Sequence, residues 1–129
     1  MSLRGKAVIV GIGETPVDRL GGKPGEPRKI TSEYLTWAVR LALEDAGLTK
    51  KDLDGQGLAA IYTTNHSQPF WPEEAAAILG ISPAVSLAGG NGGASSVSLL
   101  GHAAAMINTG IVDLVLVVSA AAPYGEHGR

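Results

Sequence analysis

The chain of 129 residues contains no cysteine, which excludes disulfide bonds, cysteine-ligated zinc and a cysteine nucleophile within this chain. Aromatic side chains make up only 5% of the residues, with one Phe and two Trp, whereas glycine occurs 18 times. The interior is therefore expected to consist mainly of Ala, Val, Ile and Leu, with closely packed backbones. The formal net charge of −2 provides no basic surface that would attract nucleic acid or an anionic membrane.

Long apolar runs are also missing, since no stretch approaches the roughly 20 residues that span a bilayer. The run 7–10 follows basic residues as in a signal peptide, but Glu14 and Asp18 interrupt it before an apolar core is complete. We therefore expect a soluble, cytoplasmic protein that binds neither nucleic acid nor membrane. The length suits a single domain, residues 1–129.

Apolar runs and helical repeats alternate along the chain. Strands are predicted at 7–12, 58–63, 84–88 and 113–119. The first and the last are expected to be buried on both faces, as in parallel sheets. Segments 18–29, 64–71 and 124–129 are predicted to have no regular structure.

Helices are predicted between the strands. The spacing of apolar residues indicates a helix over 31–46, with Thr31, Ser32 and Glu33 as capping residues and Gly47 as its end. A short helix is predicted from Pro72 to Gly80. Strands separated by helices imply right-handed crossovers, hence an α/β fold with a mainly parallel sheet and helices on both faces.

The helix predicted at 95–108 organises the rest of the chain. It has no charged residue up to Ile107 unless His102 is protonated, and small or apolar side chains occupy every face. A helix that is apolar all round is expected to be a buried, central one. The turn at its start is Asn91-Gly92-Gly93-Ala94-Ser95, where free N–H groups and the positive end of the helix dipole would face outward. We expect these five residues to bind substrate.

The serines of this helix start, Ser95, Ser96 and Ser98, are interpreted as capping residues. A nucleophilic serine would need a base, and no partner is identifiable in the chain. Asp113 follows the glycine turn after this helix and is expected to anchor that turn.

Two other kinds of site have weak signals. Gly11 and Gly13 follow a predicted strand as in a dinucleotide-binding fingerprint, but Pro16 stands where the third glycine would be. His66, His102 and His127 lack the i, i+4 spacing of a metal site, so no metal is expected. His102 is interpreted as a hydrogen-bonded interior or interface histidine.

Four stretches, in order, resemble the N-terminal part of a thiolase-superfamily subunit. They are Val8-Ile-Val-Gly-Ile-Gly-Glu-Thr-Pro16, Ala42-Leu-Glu-Asp-Ala-Gly47, the small-residue turn, and Gly110-x-x-Asp113-Leu-Val-Leu-Val. The likeness is to the sterol-carrier-protein-X and lipid-transfer type thiolases, and it spans nearly the whole chain. It implies a five-layer α-β-α-β-α fold of two similar halves, of which this chain would be an incomplete first half. It also implies acyl-coenzyme A (acyl-CoA) thioesters as substrates, with no covalently bound cofactor.

In that family a Cys at the N-terminus of the buried helix takes the acyl group, while His and Cys residues of the second half transfer protons. Counting back from Gly110 puts the Cys position at Gly93, which has no side chain to act as a nucleophile. The resemblance thus implies a retained scaffold without its catalytic Cys, and the chain alone is expected to be inactive. Relatives without the Cys resemble aldolases that shorten sterol side chains on CoA thioesters, beside a small zinc-ribbon/OB-fold partner.

Two classes of function stay open at this point. The first is an acyl-CoA-handling protein that acts by acyl transfer or by retro-aldol cleavage, and the second is a non-catalytic structural or assembly subunit. An isolated half-fold would leave its central helix uncovered, so a second copy, the missing C-terminal half, or both are expected as partners. The strand at 84–88 matches the family's edge strand, which pairs across the subunit interface.

Overall fold

The computed structural model describes residues 2–17, 29–61, 70–90 and 92–122. Within these ranges the helices are α1 (Thr31–Ala46), α2 (Trp71–Leu79) and α3 (Ser95–Asn108), and the strands are β1 (Gly57–Ile61), β2 (Val85–Gly89) and β3 (Val115–Val118). Short 3-10 turns at Lys50–Leu53 and Gly92–Ala94 precede β1 and α3. Most of the predicted segments 18–29 and 64–71, the tail 124–129, and Asn91, His66 and His127 lie outside the described residues.

The three described strands form one parallel sheet in the order β2-β1-β3. The chain passes from β1 to β2 through α2, and then crosses back over β1 to reach β3 through α3. Right-handed crossovers that run in opposite directions place their helices on opposite faces of a sheet. The predicted α/β class, with a parallel sheet and helices on both faces, is confirmed.

One face of the sheet is covered by α1 and α2 together. Leu58 and Ala60 of β1 belong to this core and have no exposed surface. Other members of the same buried cluster are Leu35, Val39, Leu43, Trp71, Ala75, Leu79 and Val118. The opposite face is covered by α3, so β1 lies between two layers and is buried on both sides, as a central parallel strand should be.

Helix α1 has its predicted bounds, but its first turn is capped differently from the prediction. Gly47 ends it with φ of 68°, a left-handed conformation that favours glycine. At the other end, no side-chain cap bond is made by the N-cap residue, which is Ile30. The N–H group of Ile30 instead donates to the Glu33 carboxylate at 2.7 Å. The predicted capping by Thr31 is wrong because its hydroxyl is buried and accepts the N–H of Ala122 at 3.2 Å.

The strand predicted at 7–12 is not part of the sheet. This segment has no regular secondary structure, and its apolar side chains are exposed, with Val8 at 79%. Its backbone lies against α1, since a Cβ added at Gly11 would be 2.5 Å from the carbonyl oxygen of Ala42. The prediction is wrong because the segment packs its backbone against α1 and donates from Ile12 to Asp45, and it pairs with neither outer edge of the described sheet.

The glycines that suggested a dinucleotide motif serve this contact with α1. A Cβ at Gly13 would overlap the backbone of Ala38 and Ala42. The N–H group of Ile12, between the two glycines, donates to the carboxylate of Asp45 at 2.9 Å. No helix begins in the described part of this segment, so the phosphate-binding geometry of the fingerprint is not formed.

Helix α2 confirms the predicted first-turn Pro72 and the end at Gly80, whose φ is 68°. Its first residue, Trp71, was expected in the preceding loop but is fully buried. The Trp71 indole Nε1 donates to the carbonyl oxygen of Ile61 at 3.1 Å, which joins the start of α2 to the last residue of β1. None of the helices in the described ranges has the length and apolar character that crossing a membrane requires.

The turn before β3 is held by Gln56, which precedes β1. Its Oε1 accepts the N–H groups of Asp113 at 3.0 Å and Leu114 at 3.1 Å. The expectation that Asp113 anchors this turn is therefore wrong for its side chain, because its backbone makes the contact. One amide side chain thus sets the register at which β3 starts beside β1.

Candidate functional site

The carboxyl ends of β1 and β2 are the place where this topology opens a crevice. After Ile61 the chain continues toward α2 on one face, and after Gly89 it continues toward α3 on the other face. Neighbouring parallel strands whose connections leave to opposite faces create a gap at which ligands bind in open α/β sheets. The turn that precedes α3 lies at this gap.

The turn residues differ in how strictly they require glycine. Gly92 has φ of 61°, which disfavours any side chain. Gly93 does not have positive φ, and a Cβ added there would meet no atom within 4 Å. Gly92, Gly93 and Ala94 are all exposed. Neither backbone conformation nor packing therefore requires glycine at position 93, and a side chain there would have open space.

Ser95 is the first residue of α3, and its environment differs from the predicted one. The N-cap is Ala94, and no side chain caps the helix. Ser95 is only 3% exposed, and its Oγ is a buried polar atom without a hydrogen-bond partner among the described residues. An unsatisfied buried hydroxyl costs about 1–3 kcal/mol. The capping interpretation of Ser95 is therefore wrong, whereas Ser96 and Ser98 are exposed on the helix surface.

The direction of the Ser95 side chain follows from the residue one turn later. Leu99 is on the same face of α3 and packs over β2, where a Cβ at Gly89 would lie 2.8 Å from its Cδ1. Helical side chains lean toward the N-terminus, so Ser95 lies farther out, beyond the last residue of β2. Ser95 therefore lies at the crevice end of α3, and its hydroxyl is buried there.

Helix α3 is buried on one face and not all round. Leu99, Ala103 and Met106 are buried, whereas Val97 is 74% and Leu100 is 43% exposed. Ala104 and Ile107 are half-buried. Within the described residues the three-stranded sheet covers one side of α3, as expected for a half-fold, and enclosure of the other side by a partner stays a prediction. An apolar composition indicates what a helix can bury, but the number of neighbouring layers decides how much is buried.

His102 has a surface position on α3. Its Nδ1 lies 2.8 Å from the carbonyl oxygen of Ser98, one turn earlier, so it is hydrogen-bonded as expected but not interior. Among the residues that the structure describes, no group of three or more His, Asp or Glu side chains is placed to hold a metal ion.

A second concavity, of about 430 Å³, lies on the α1 and α2 side and is lined by Ser32, Glu33, Thr36, Trp37, Arg40 and Ile78. Its charged groups already have partners. Glu33 binds the start of α1, Arg40 pairs with Glu44 at 3.1 Å, and the Lys29 ammonium lies 5.9 Å from the centroid of the Trp37 ring. The start of α3 is the better candidate site because its first turn has no side-chain cap and the buried Ser95 hydroxyl has no partner among the described residues.

Local sequence patterns predict the turn 92–95 but not the side chains that position the strands near it. Trp71 donates a hydrogen bond to the last residue of β1, and Gln56 accepts one from the turn before β3. A single aromatic residue beside Pro72 and a single amide before a strand have no periodic signal, so only the tertiary structure reveals their roles. Asn91, the other predicted site residue, is outside the described ranges.

Solved structures with this arrangement include the Ltp2-ChsH2(DUF35) aldolase, at 27% identity and a TM-score of 0.72, matched over 90% of this chain and 28% of that chain. The monomeric SCP2-thiolase like protein type 1 from Mycobacterium smegmatis matches at 26% identity and a TM-score of 0.63, over 86% of this chain and 22% of that chain. Xanthomonas campestris OleA with bound lauric acid and lauroyl-CoA matches at 24% identity and a TM-score of 0.60, over 70% of this chain and 27% of that chain.

The chain thus spans less than a third of each of these proteins. No protein-family model and no curated protein sequence matches it. The order of strands and helices agrees with the resemblance found in the sequence. The chain therefore has the fold of the N-terminal part of a thiolase-superfamily protein, and it resembles the SCP2-type thiolases and an aldolase related to them.

Proposed function

We propose that this chain is part of a thiolase-like protein that acts on acyl-CoA thioesters, and that it favours retro-aldol cleavage over acyl transfer. The observation that carries the proposal is the exposed N-terminus of α3 at the carboxyl ends of β1 and β2, in a fold similar to that of an aldolase. OleA, with the same fold, is known with bound lauroyl-CoA, which supports a CoA thioester as the ligand class. No covalently bound cofactor belongs to the proposal.

The absence of cysteine favours one of the two reactions. Acyl transfer through a covalent intermediate needs a nucleophile at the position of Gly93, and glycine has none. Retro-aldol cleavage of a 3-hydroxyacyl thioester does not need one. A base removes the hydroxyl proton, the C3 carbon becomes a carbonyl, and the C2–C3 bond breaks. Its electron pair passes to the thioester as an enolate, which is then protonated at C2.

The turn at 92–95 suits the negative charge of that enolate. First-turn N–H groups and the helix dipole stabilise a developing oxyanion when it lies at a helix N-terminus. Residues 92–98 include no acidic or basic side chain, so the base that takes the hydroxyl proton must come from elsewhere. The family resemblance assigns proton transfer to residues of the second half, so the chain alone is expected to be inactive and the proposal includes a second region of protein.

The proposed partner region covers the outer side of α3. Val97, Leu100 and Ile111 are exposed apolar residues on or next to this helix, and covering them would bury apolar surface. Either a second copy or a C-terminal half would serve, and a small zinc-ribbon/OB-fold protein is the further partner that the aldolase hypothesis adds. Strand β2 is an edge of the described sheet, which suits the expected pairing of 84–88 across an interface.

A non-catalytic assembly subunit is the second candidate function. The glycine at position 93 and the lack of acid or base in 92–98 favour it, since both are expected when a fold is retained for assembly. In this case the exposed face of α3 would be needed, while the turn at its start would bind no thioester.

The first experiment separates these functions by ligand binding and product analysis. The native assembly that contains this chain is titrated calorimetrically with lauroyl-CoA, then incubated with 3-hydroxyacyl-CoA thioesters and analysed by mass spectrometry. We expect saturable binding and the appearance of a shortened CoA thioester with its carbonyl co-product. Binding of partner chains without binding of any thioester would contradict the enzymatic proposal and support the assembly role.

The second experiment restores the missing nucleophile. Gly93→Cys places a thiol in open space at the start of α3, where the helix dipole lowers a thiol pKa. Attack of this thiolate on lauroyl-CoA would form a new thioester and release CoA, a mass gain that intact mass spectrometry detects. Gly101→Cys is the matched control, since Gly101 also has open space but lies in the middle of the same helix. Equal acylation of both variants would argue against a thioester site at the turn.

A further inference from the structure

The Ser95 hydroxyl is the buried polar group that the protein itself leaves unused at this site. In the part of the chain that the structure describes it has no hydrogen-bond partner, although Ser95 is only 3% exposed. Buried hydroxyl groups in native proteins are nearly always hydrogen-bonded, so an unpaired one needs an explanation, and a bound ligand is one. It is the first residue of a helix of 14 residues and follows the N-cap residue Ala94, and it makes no capping bond.

The surroundings of this hydroxyl indicate which kind of partner it can take. Ser95 lies on the sheet-facing side of α3, one turn before Leu99 and beyond the end of β2 at Gly89. The exposed residues 92–94 form the other wall of the crevice. A ligand oxygen that enters here would meet backbone N–H donors from the helix start and an O–H donor from Ser95, all suited to an acceptor atom.

We propose that the Ser95 hydroxyl donates a hydrogen bond to the thioester carbonyl oxygen of the bound acyl-CoA and so selects a thioester over a ligand without that oxygen. This inference rests on the proposed function. Ser95 is a substrate-binding residue in this scheme, and no covalent step passes through it. In this scheme the hydroxyl is unpaired in the free protein and gains its acceptor only when the ligand binds.

The test uses a pair of ligands that differ only in this oxygen. Lauroyl-CoA carries the carbonyl group, whereas S-dodecyl-CoA is a thioether of the same chain length without it. The native assembly is titrated with both ligands as wild type and as Ser95→Ala. Ser96→Ala is the matched control, because Ser96 is the next residue in the same helical turn and is exposed.

We expect Ser95→Ala to weaken lauroyl-CoA binding about 3- to 10-fold, the effect of one neutral hydrogen bond. Its affinity for S-dodecyl-CoA should stay unchanged, as should both affinities of Ser96→Ala. The melting temperature of Ser95→Ala without ligand should equal or exceed that of the wild type, since the substitution removes an unsatisfied group.

Three results would overturn the inference. Unchanged lauroyl-CoA affinity in Ser95→Ala would show that the hydroxyl does not contact the ligand. Equal losses for both ligands together with a lower melting temperature would show a structural role for Ser95. A wild type that binds neither ligand would overturn the proposed function, and this inference with it, which distinguishes that failure from the first two.

Discussion

The two faces of the sheet are covered in different ways. On one face, here called the closed face, α1 and α2 enclose a core in which Leu35, Leu58 and Trp71 are fully buried. On the other face, α3 alone supplies Leu99, Ala103 and Met106, and its outer side remains apolar and exposed. Two helices complete a layer against a small sheet, whereas one helix leaves part of its own surface uncovered.

This difference supports the side of the sheet on which the binding site is proposed. The closed face has its polar groups paired, as in the bonds from Trp71 to Ile61 and from Ala122 to Thr31. The less covered face has the unpaired Ser95 hydroxyl, the open turn 92–94 and the exposed Val97. Ligand and partner are therefore both expected on the α3 side, and the following predictions test this contrast.

The largest effect is expected from Trp71→Ala on the closed face. The substitution leaves a large cavity and removes the indole bond to Ile61, so the free energy of unfolding should fall by about 3–5 kcal/mol. Phe70→Ala changes the adjacent aromatic residue, which is 68% exposed, and should stay within about 0.5 kcal/mol. Urea unfolding measures both, and similar losses would contradict the closed core described for this face.

A smaller loss is expected from Leu99→Ala on the α3 face. Its side chain is buried against Gly89, and removing it should lower the free energy of unfolding by about 2–3 kcal/mol. The control is Leu100→Ala, the same change at the neighbouring exposed position, with an expected loss below about 1 kcal/mol in the chain alone. In the native assembly Leu100→Ala should cost more, and an unchanged cost there would argue against a partner on this surface.

The contact of segment 7–17 with α1 should respond to Gly13→Ala. The added methyl group would overlap the backbone of Ala38 and Ala42, so the segment should separate from the helix at a cost of about 1–2 kcal/mol. Amide hydrogen exchange at Ile12, whose N–H donates to Asp45, should become faster while exchange in β1 does not change. Slow exchange at Ile12 in the variant would refute this mode of attachment.

The smallest effect is a gain from Gly101→Ala. This residue lies inside α3 with open space around its Cα, so alanine should fit without contact and stabilise the helix by about 0.5–1 kcal/mol. Thermal unfolding measures the gain. A loss of stability instead would contradict this, and would mean that another part of the protein packs closely against this side of α3.

Local patterns in the sequence predicted most of the elements. The spacing of Leu35, Val39 and Leu43, with Gly47 after them, predicted α1, and Pro72 and Gly80 bounded α2. The small-residue turn predicted a helix start at Ser95. Such features are local, because caps, turns and one-sided apolar spacing depend on neighbours within a few residues.

The errors all concern partners that are distant in the sequence. Residues 7–12 have a strand-like composition, but their backbone packs against Ala38 and Ala42 of α1. Thr31 has the chemistry of a cap, but its hydroxyl accepts the N–H of Ala122, and the Ser95 hydroxyl has no partner within the described ranges. The binding role of the turn 92–95 stays a prediction until the titrations above are made.

The sequence alone determined the class of fold and the absence of a cysteine nucleophile, since these depend on composition and on short-range spacing. Only the tertiary structure decided the strand order, the exposed side of α3 and the buried hydroxyl of Ser95. The physical reason is that burial and many side-chain hydrogen bonds arise from contacts between elements that are far apart in the sequence. The type of a residue alone does not specify which residues it will contact.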